Sequence, residues 1–580
     1  MKHIDNIINK IAANKETHFW LFFAVLLVLS LIMTLSYKLY PSFDFYFHYR
    51  RLNALMEALL NGSFPIYIDY AAADGYGYAT KWFYPDLVLV PFAITGILTN
   101  AVFAFQYMWF IMTVLCGTFM YIAVKRIYKS TYTAAIASIL FTFCTYRLLD
   151  MYNRSAVGEA LSFTFVPLIF WGLYEIIKGD HRKWYILAIG YSLMIFTHVL
   201  SSFLMFITLL IIVGVYYKSF INEPKRLYGL LFAGISTLII TAYFLYPMLE
   251  QMLSNSFYYQ TVVKAHPDDH KQKLNWIIWG LFSGIVHPKQ IFIPATGVLL
   301  TWAVSLRLFV KGNKSPLLKS VDVGVIIGFI YIFLASWLIP WRVFPFNKLL
   351  FIQLPWRLYE FVSYFFAIAG GYYLTCILHS KRRLLAGAAM VILGTIFVLS
   401  SSGKDYQFEN SGRDVNEIPT RETNNFHLYG MEYIPSKVPS IDYIAERGWD
   451  VTTKYGSGYN NFEHGLGQYT SLFLRLSSDK KYEVLEFPLF YYKGYAATME
   501  YEDIEKNRRS IRMDIPVKES EHGLVEITVP NMTGSPFEPE YVEVYYAGTT
   551  IQKVSPFISI FGVLALTAYI IVYKRKKRSV

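Results

Sequence analysis

Apolar runs of about 17–24 residues recur between residues 18 and 401, and one more lies at 555–573. Each can cross about 30 Å of hydrocarbon as a helix. The runs are 18–38, 101–124, 132–149, 159–177, 184–200, 201–217, 227–249, 291–309, 321–339, 356–378, 384–401 and 555–573. They predict a polytopic α-helical membrane protein with about 12 transmembrane helices. Residues 84–98 are also apolar, but Pro85, Asp86 and Pro91 interrupt them, so an interfacial or re-entrant segment is expected there.

Charge supports this reading. Only 16% of residues are charged and 55% are hydrophobic, against roughly a quarter charged in soluble domains. The net charge of +12 is dispersed in short clusters between the runs: Lys125-Arg126, Lys178 to Lys183, Lys225-Arg226, Lys311 to Lys319, Lys381 to Arg383 and Lys574 to Arg578. That is the positive-inside pattern and not a nucleic-acid footprint. An even number of crossings puts both termini in the cytoplasm. Residues 18–38 follow a tail holding Lys2, Lys10 and Lys15 with no small-residue cleavage motif after Tyr37, as in a retained signal anchor.

Three regions follow: a transmembrane region 1–401 with a long first external loop 39–83, an extracytoplasmic β-rich region 402–554, and a C-terminal helix with a basic tail, 555–580. The β-rich region carries strand patterns at Tyr482 to Phe487, Phe490 to Tyr492, Leu524 to Val529 and Tyr541 to Tyr546, which predict a self-contained β-sandwich. Cys116, Cys144 and Cys376 all fall inside apolar runs, so no disulfide or zinc framework is available to the external region.

Candidate site residues gather at the outer ends of the runs. In Ser42-Phe43-Asp44-Phe45-Tyr46-Phe47-His48-Tyr49-Arg50-Arg51, the spacing of Asp44, His48 and Arg51 places them on one helical face beside an apolar stripe, Leu52, Leu55, Met56 and Leu59. Arg154 and Glu159 lie in a short external turn with Arg147 and Asp150 nearby; a structural salt bridge is the plain alternative. His198 falls at an external hairpin. Glu250 closes one run, and Gln353-Leu354-Pro355-Trp356-Arg357 opens another, where a cation meets phosphate or simply anchors at the interface. Ionisable residues converging at one membrane level mark a site.

The same residues carry a family resemblance. Asp44 to Arg51, Gly62-Ser63-Phe64-Pro65, Gly75-Tyr76-Gly77-Tyr78 with Phe83-Tyr84-Pro85, Tyr146-Arg147 through Gly158-Glu159-Ala160, Thr197-His198, Pro247 to Glu250, Gln353 to Arg357, Glu432-Tyr433-Ile434-Pro435 and Phe490 to Tyr495 span nearly the whole chain. It resembles bacterial membrane proteins called 6-pyruvoyl-tetrahydropterin synthase-related, and is similar to YfhO-like proteins and the GT-C glycosyltransferase superfamily. The zinc-binding histidine set of a soluble pterin synthase is missing. The resemblance implies a GT-C-like fold and transfer of a sugar from a polyprenyl-phosphate donor to a glycan or envelope-polymer acceptor on the outer face of the cell membrane. It implies that Asp44 is the catalytic or metal-binding carboxylate; with that, the residues gathered at the outer rim are expected to act in catalysis, Asp44 and His48, and in substrate binding, Arg51, Arg154, Glu159, His198, Glu250, Gln353 and Arg357. No Asp-x-Asp pair is present, since residue 46 is Tyr; a divalent metal at Asp44 is left open. A flippase for a lipid-linked glycan and a non-catalytic envelope scaffold are the rival readings.

Overall fold

The computed structural model describes residues 15–37, 39, 44–261, 266–282, 294–311, 315–405, 432–453, 458–459, 462–464, 471–476, 484–503, 510–530 and 537–578. Ser42, Phe43, Lys2, Lys10 and the stretch 406–431 lie outside the described residues.

Among the described residues, seven helices are long and apolar enough to cross a bilayer: Thr17–Ser36, Ala101–Tyr128, Thr131–Asn153, Pro316–Ala335, Pro355–Ile377, Lys381–Ser400 and Thr550–Lys577. The chain is a multi-pass membrane protein. The remaining apolar runs do not form full straight spans. Lys225–Ile240 and Ala242–Ser254 meet at a 74° bend. At the bend, Thr241 spends its hydroxyl on the Thr237 carbonyl, 2.7 Å away, a back-bond that bends helices. Leu87–Leu98, Val166–Ile177, Val199–Val215 and Gly297–Phe309 are shorter apolar helices. At 1.5 Å per residue the first is about 18 Å long, too short to cross alone. The runs 159–177 and 184–200 are each broken, after Ser162 and after Ile195. Broken helices within a membrane region are tolerated where they line a protein cavity.

Before the last helix stand two five-stranded antiparallel sheets. One has the order β2-β1-β5-β9-β8 and the other β3-β4-β10-β6-β7. The strands are β1 Val451–Thr453, β2 Gly458–Tyr459, β3 Phe462–His464, β4 Ser471–Arg475, β5 Val484–Phe490, β6 Tyr495–Asp503, β7 Ser510–Ile515, β8 Val517–Glu519, β9 Leu524–Thr528 and β10 Phe537–Tyr546. Alternating residues Leu485 and Phe487, Ala497 and Met499, Val542 and Val544 are buried, as the inner rows of a sandwich are.

The sandwich packs against the first loop and the bent helix. Trp82 of the first loop packs edge-on against Tyr492, 5.2 Å between centroids, and Phe83 stacks on Tyr433 at 4.2 Å. The Phe490 amide donates to the Tyr76 carbonyl at 2.9 Å. Gln251 donates to the Lys493 carbonyl at 2.7 Å and accepts from its amide at 3.2 Å. At Gly75, whose φ is +88°, a Cβ would stand 1.7 Å from the Trp449 ring. Only glycine lets loop and sandwich approach so closely. Gly75→Ala is therefore expected to loosen this seam and lower the melting temperature; an unchanged melting curve would show that the seam contributes little.

Candidate functional site

Asp44 stands at the N-cap position of the helix Phe45–Leu60 without a side-chain capping bond, and its amide donates to the Arg154 carbonyl at 2.9 Å. That helix turns three cationic or imidazole side chains inward. Arg50 clamps Asp69 with two 2.7 Å bonds and reaches Glu57 at 2.8 Å. Arg51 donates to Asp86 at 2.8 Å and to the Pro85 carbonyl at 3.0 Å. It also meets His48 Nδ1 at 3.0 Å. A guanidinium only donates, so Nδ1 accepts and the proton of His48 sits on Nε2. Burial, followed by the charge of Arg51, holds the His48 pKa well below its ordinary value. His48 is thus a neutral hydrogen-bond donor at neutral pH.

The His48 amide donates to the Asp44 carbonyl at 3.2 Å, so the helical turn begins at Asp44, but the three side chains take different partners. That of Asp44 is Arg154, Nη2 to Oδ2 3.5 Å. Arg51 belongs to Asp86 and holds His48 in place.

Arg154 follows a π-helical turn, Leu149–Asn153, a local widening that recurs at functional sites. Its Nη1 lies 3.0 Å from both Asp150 and Glu159. Glu159 also accepts from Arg357 Nε at 3.2 Å and from the Tyr146 hydroxyl at 2.5 Å. It is fully buried and its oxygens are occupied, so it braces two guanidiniums and offers nothing to a substrate. Arg357 Nη1 donates to the Ile352 carbonyl at 3.2 Å and to Gln353 Oε1 at 3.1 Å. Gln353 makes this contact from a φ of +59°, a conformation that is uncommon outside glycine. Arg357 Nη2 has no protein partner among the described residues.

The Asp44 side chain is 43% exposed, while those of Arg154, Glu159 and Arg357 are 10%, 1% and 9% exposed. The cluster therefore meets solvent at a carboxylate backed by two cations. Desolvation in this recess pushes the Asp44 pKa up, and Arg154 and Arg357 pull against it.

The motif search missed Glu432 as a site residue. The Tyr259 amide holds its carbonyl at 3.0 Å, and neighbouring Tyr433 is fixed by Phe83 and by Tyr84, 6.0 Å between centroids. Burial, then the charge of Asp44, pushes the Glu432 carboxyl up to about 7, with Arg357 opposing. The sandwich side of the seam thus brings a second carboxyl toward Asp44. Because the folded state keeps this proton above the ordinary glutamate range, stability should be greatest below that range. It should decline as pH rises toward 7. Glu432→Gln should flatten that part of the melting-temperature profile; an unaltered slope would assign it to another group.

Glu250 is not part of the cluster. It accepts from the Thr549 hydroxyl at 2.5 Å and pairs with Lys493 at 3.3 Å, tying the bent helix to the last helix and the sandwich. His198 does join the recess side, as the cap of Val199–Val215 with its ring 6.4 Å from that of Tyr84.

A metal fits this site poorly. Among the described residues no group of three His, Cys, Asp or Glu side chains could hold one. Asp44 faces guanidiniums, and His48 Nδ1 is taken by Arg51.

No family model matches the chain. An uncharacterised protein of Lactococcus lactis subsp. cremoris (strain MG1363) is 23% identical over 279 residues, which cover 46% of this chain and 44% of that relative. The chain thus matches less than half the length of that relative. Among solved structures, the arabinofuranosyltransferase AftD from mycobacteria is similar with a TM-score of 0.45 and 14% identity, over 68% of this chain and 27% of AftD. ArnT from Cupriavidus metallidurans bound to undecaprenyl phosphate is similar with a TM-score of 0.44 and 12% identity, over 68% of this chain and 78% of ArnT.

Proposed function

We propose that this protein is a membrane glycosyltransferase that moves a sugar from a polyprenyl-phosphate donor to a cell-envelope acceptor at the outer face of the membrane. The observation that carries the reading is the pairing of one solvent-facing carboxylate, Asp44, with Arg154 and an Arg357 whose Nη2 is left to a ligand.

Asp44 takes the proton of the acceptor hydroxyl as its oxygen attacks the anomeric carbon. The bond from that carbon to the phosphate oxygen breaks, and polyprenyl phosphate leaves. The phosphate gains negative charge in this step, and Arg357, backed by Arg154, stabilises it. The raised pKa of Asp44 makes it a better proton acceptor than an ordinary carboxylate. His48 donates from Nε2 to substrate oxygen. One displacement without a covalent enzyme intermediate inverts the anomeric configuration of the transferred sugar.

Arg357→Lys keeps the charge and loses the planar guanidinium that binds Glu159, Ile352 and Gln353 through Nε and Nη1 while presenting Nη2 to the phosphate. Donor kcat/KM should fall roughly 10–100-fold, the worth of one or two hydrogen bonds to a charged group. Unchanged donor dependence would reduce Arg357 to an interfacial anchor.

The orientation is also testable. A cysteine at Glu521 should react with an impermeant maleimide in intact cells, and one at Lys577 only after permeabilisation. The reverse pattern would put the recess on the wrong side of the membrane for this reaction.

A further inference from the structure

Three side chains that bound the recess are almost wholly buried: His48, His198 and Arg357 are 4%, 7% and 8% exposed. Each has one nitrogen without a protein partner among the described residues. These are Nε2 of His48, Nε2 of His198 and Nη2 of Arg357. All three atoms reach solvent, unlike sealed and unpartnered nitrogens such as Arg147 Nε and Trp109 Nε1.

All three nitrogens are donors. A guanidinium nitrogen only donates, and His48 donates from Nε2 because its Nδ1 accepts from Arg51. His198 reaches the same state by another route. It stands at the N-cap of Val199–Val215, and its Nδ1 accepts from the Ser201 amide at 3.3 Å. An amide nitrogen only donates, so Nδ1 carries no hydrogen and the proton of the neutral ring sits on Nε2. The Ser201 hydroxyl, 2.9 Å from Nδ1 and 2.8 Å from Glu360 Oε2, has one proton for either neighbour and leaves Nδ1 bare in both cases. The need to satisfy a free amide at a helix start thus sets the sense of an imidazole at the recess.

The three donors come from three separate elements and meet around Tyr84. The Tyr84 ring lies 5.6 Å from that of His48 and 6.4 Å from that of His198, between centroids. Its hydroxyl feels the charges of Glu432, Asp44, Arg357 and Arg51. Arg357 is also the strongest charge acting on His198. Gly158 gives the His198 ring its room beside the Arg154–Glu159 turn, since a Cβ there would stand 3.0 Å from His198 Cδ2 and 3.1 Å from the Thr197 carbonyl. We propose that His198 binds phosphate: its Nε2, His48 Nε2 and Arg357 Nη2 form a three-point cradle for a tetrahedral oxyanion. The identity of the ligand, the phosphate of a polyprenyl-phosphate sugar, rests on the transferase reading. That diester carries one negative charge on its non-bridging oxygens. When the bond to the anomeric carbon breaks, a third oxygen is freed and the group becomes a phosphate monoester of greater charge. Three donors match the departing phosphate better than the intact donor, which is the kind of binding that lowers a barrier. Two of the three are neutral, so they add hydrogen bonds without adding repulsion to Arg51, Arg154 and Arg357.

Binding to the full-length protein tests this, with farnesyl phosphate as a short polyprenyl phosphate, farnesol as the same chain without the anion, and inorganic phosphate. His198→Asn removes the recess donor but keeps a side-chain oxygen for the Ser201 amide. It should melt close to wild type and bind farnesyl phosphate ~10–100-fold more weakly, the worth of a hydrogen bond to a charged group. His198→Gln returns an N–H near the Nε2 position and gives up the cap, so it should melt lower yet bind more tightly than His198→Asn. Nitrogen-15 spectra of histidine-labelled protein, wild type minus either variant, should show a neutral imidazole protonated at Nε2. Its signal should move with farnesyl phosphate and not with farnesol. Protonation at Nδ1, a signal unmoved by either phosphate, a folded His198→Asn that binds as tightly as wild type, or the reverse order of the two variants overturns the proposal. Equal affinity for inorganic and farnesyl phosphate would keep the cradle and contradict the lipid donor, so the cradle and the transferase reading fail separately.

Discussion

Asp44→Asn is expected to lower turnover by roughly 10²–10⁴-fold, the usual worth of a positioned base, and to leave expression, insertion and melting temperature close to those of wild type. The side chain is 43% exposed, and its one ion pair, with Arg154, is 3.5 Å long. Arg154 keeps its 3.0 Å contacts with Asp150 and Glu159 when Asp44 is neutral. No buried charge is stranded, and asparagine retains the size of the side chain. Turnover is the quantity to measure, at saturating donor and acceptor, beside a thermal melt of the same preparation. A variant that turns over normally, or one that fails to fold, contradicts the role given to Asp44.

Glu159→Gln should show the opposite pattern. Glu159 is buried and stands between Arg154 and Arg357 at 3.0 and 3.2 Å. Removing its charge leaves two buried guanidiniums sharing only Asp150 and the more exposed Asp44. Breaking a buried ion pair from one side costs about 3–5 kcal/mol, so the variant should accumulate poorly and melt well below wild type before any assay is attempted. A normal melting curve would mean that water reaches these guanidiniums freely, and that the recess is wider than the side-chain exposures imply.

The contrast between these carboxylates was only partly legible in the sequence. Asp44, Arg154, Glu159 and Arg357 were visible because each is an ionisable residue at the end of an apolar run. A salt bridge between Arg154 and Glu159 was legible as the plain reading of their turn, but the pairing of Asp44 with Arg154 and of Glu159 with Arg357 was not visible. Helical spacing joined Asp44 to His48 and Arg51, but spacing reports a shared face and not a partner. Asp44 stands at the N-cap position, where its carboxylate turns toward Arg154 on a different element. Glu250 was expected at the site because it ends an apolar run. The 74° bend after Ile240 carries it to Thr549 and Lys493 instead.

Other features had no local signal. Glu360 sits inside an apolar run and reads as one polar residue in a span; its contacts with Ser162 and Ser201 on two other helices have no sequence signal. Glu432 lies far along the chain from Asp44 and belongs to the sandwich side of the seam. The sandwich itself was legible from strand alternation, whereas its packing against Trp82 and Phe83 was not, because aromatic residues in a loop between apolar runs look like a membrane belt. Of the twelve apolar runs, seven hold helices long and apolar enough to cross a bilayer among the described residues, and several of the others are bent, broken or shorter helices. Periodicity and hydropathy mark where apolar residues cluster, and neither marks the breaks at 163–165 and 196–198.

The most direct test of the central claim uses purified wild-type protein in lipid nanodiscs with polyprenyl-phosphate sugars labelled in the sugar, and envelope extract as acceptor. The account predicts that label moves to the extract with release of free polyprenyl phosphate, and that Asp44→Asn abolishes both. No release from any donor of the panel by well-folded wild type, or equal release by wild type and Asp44→Asn, would contradict it.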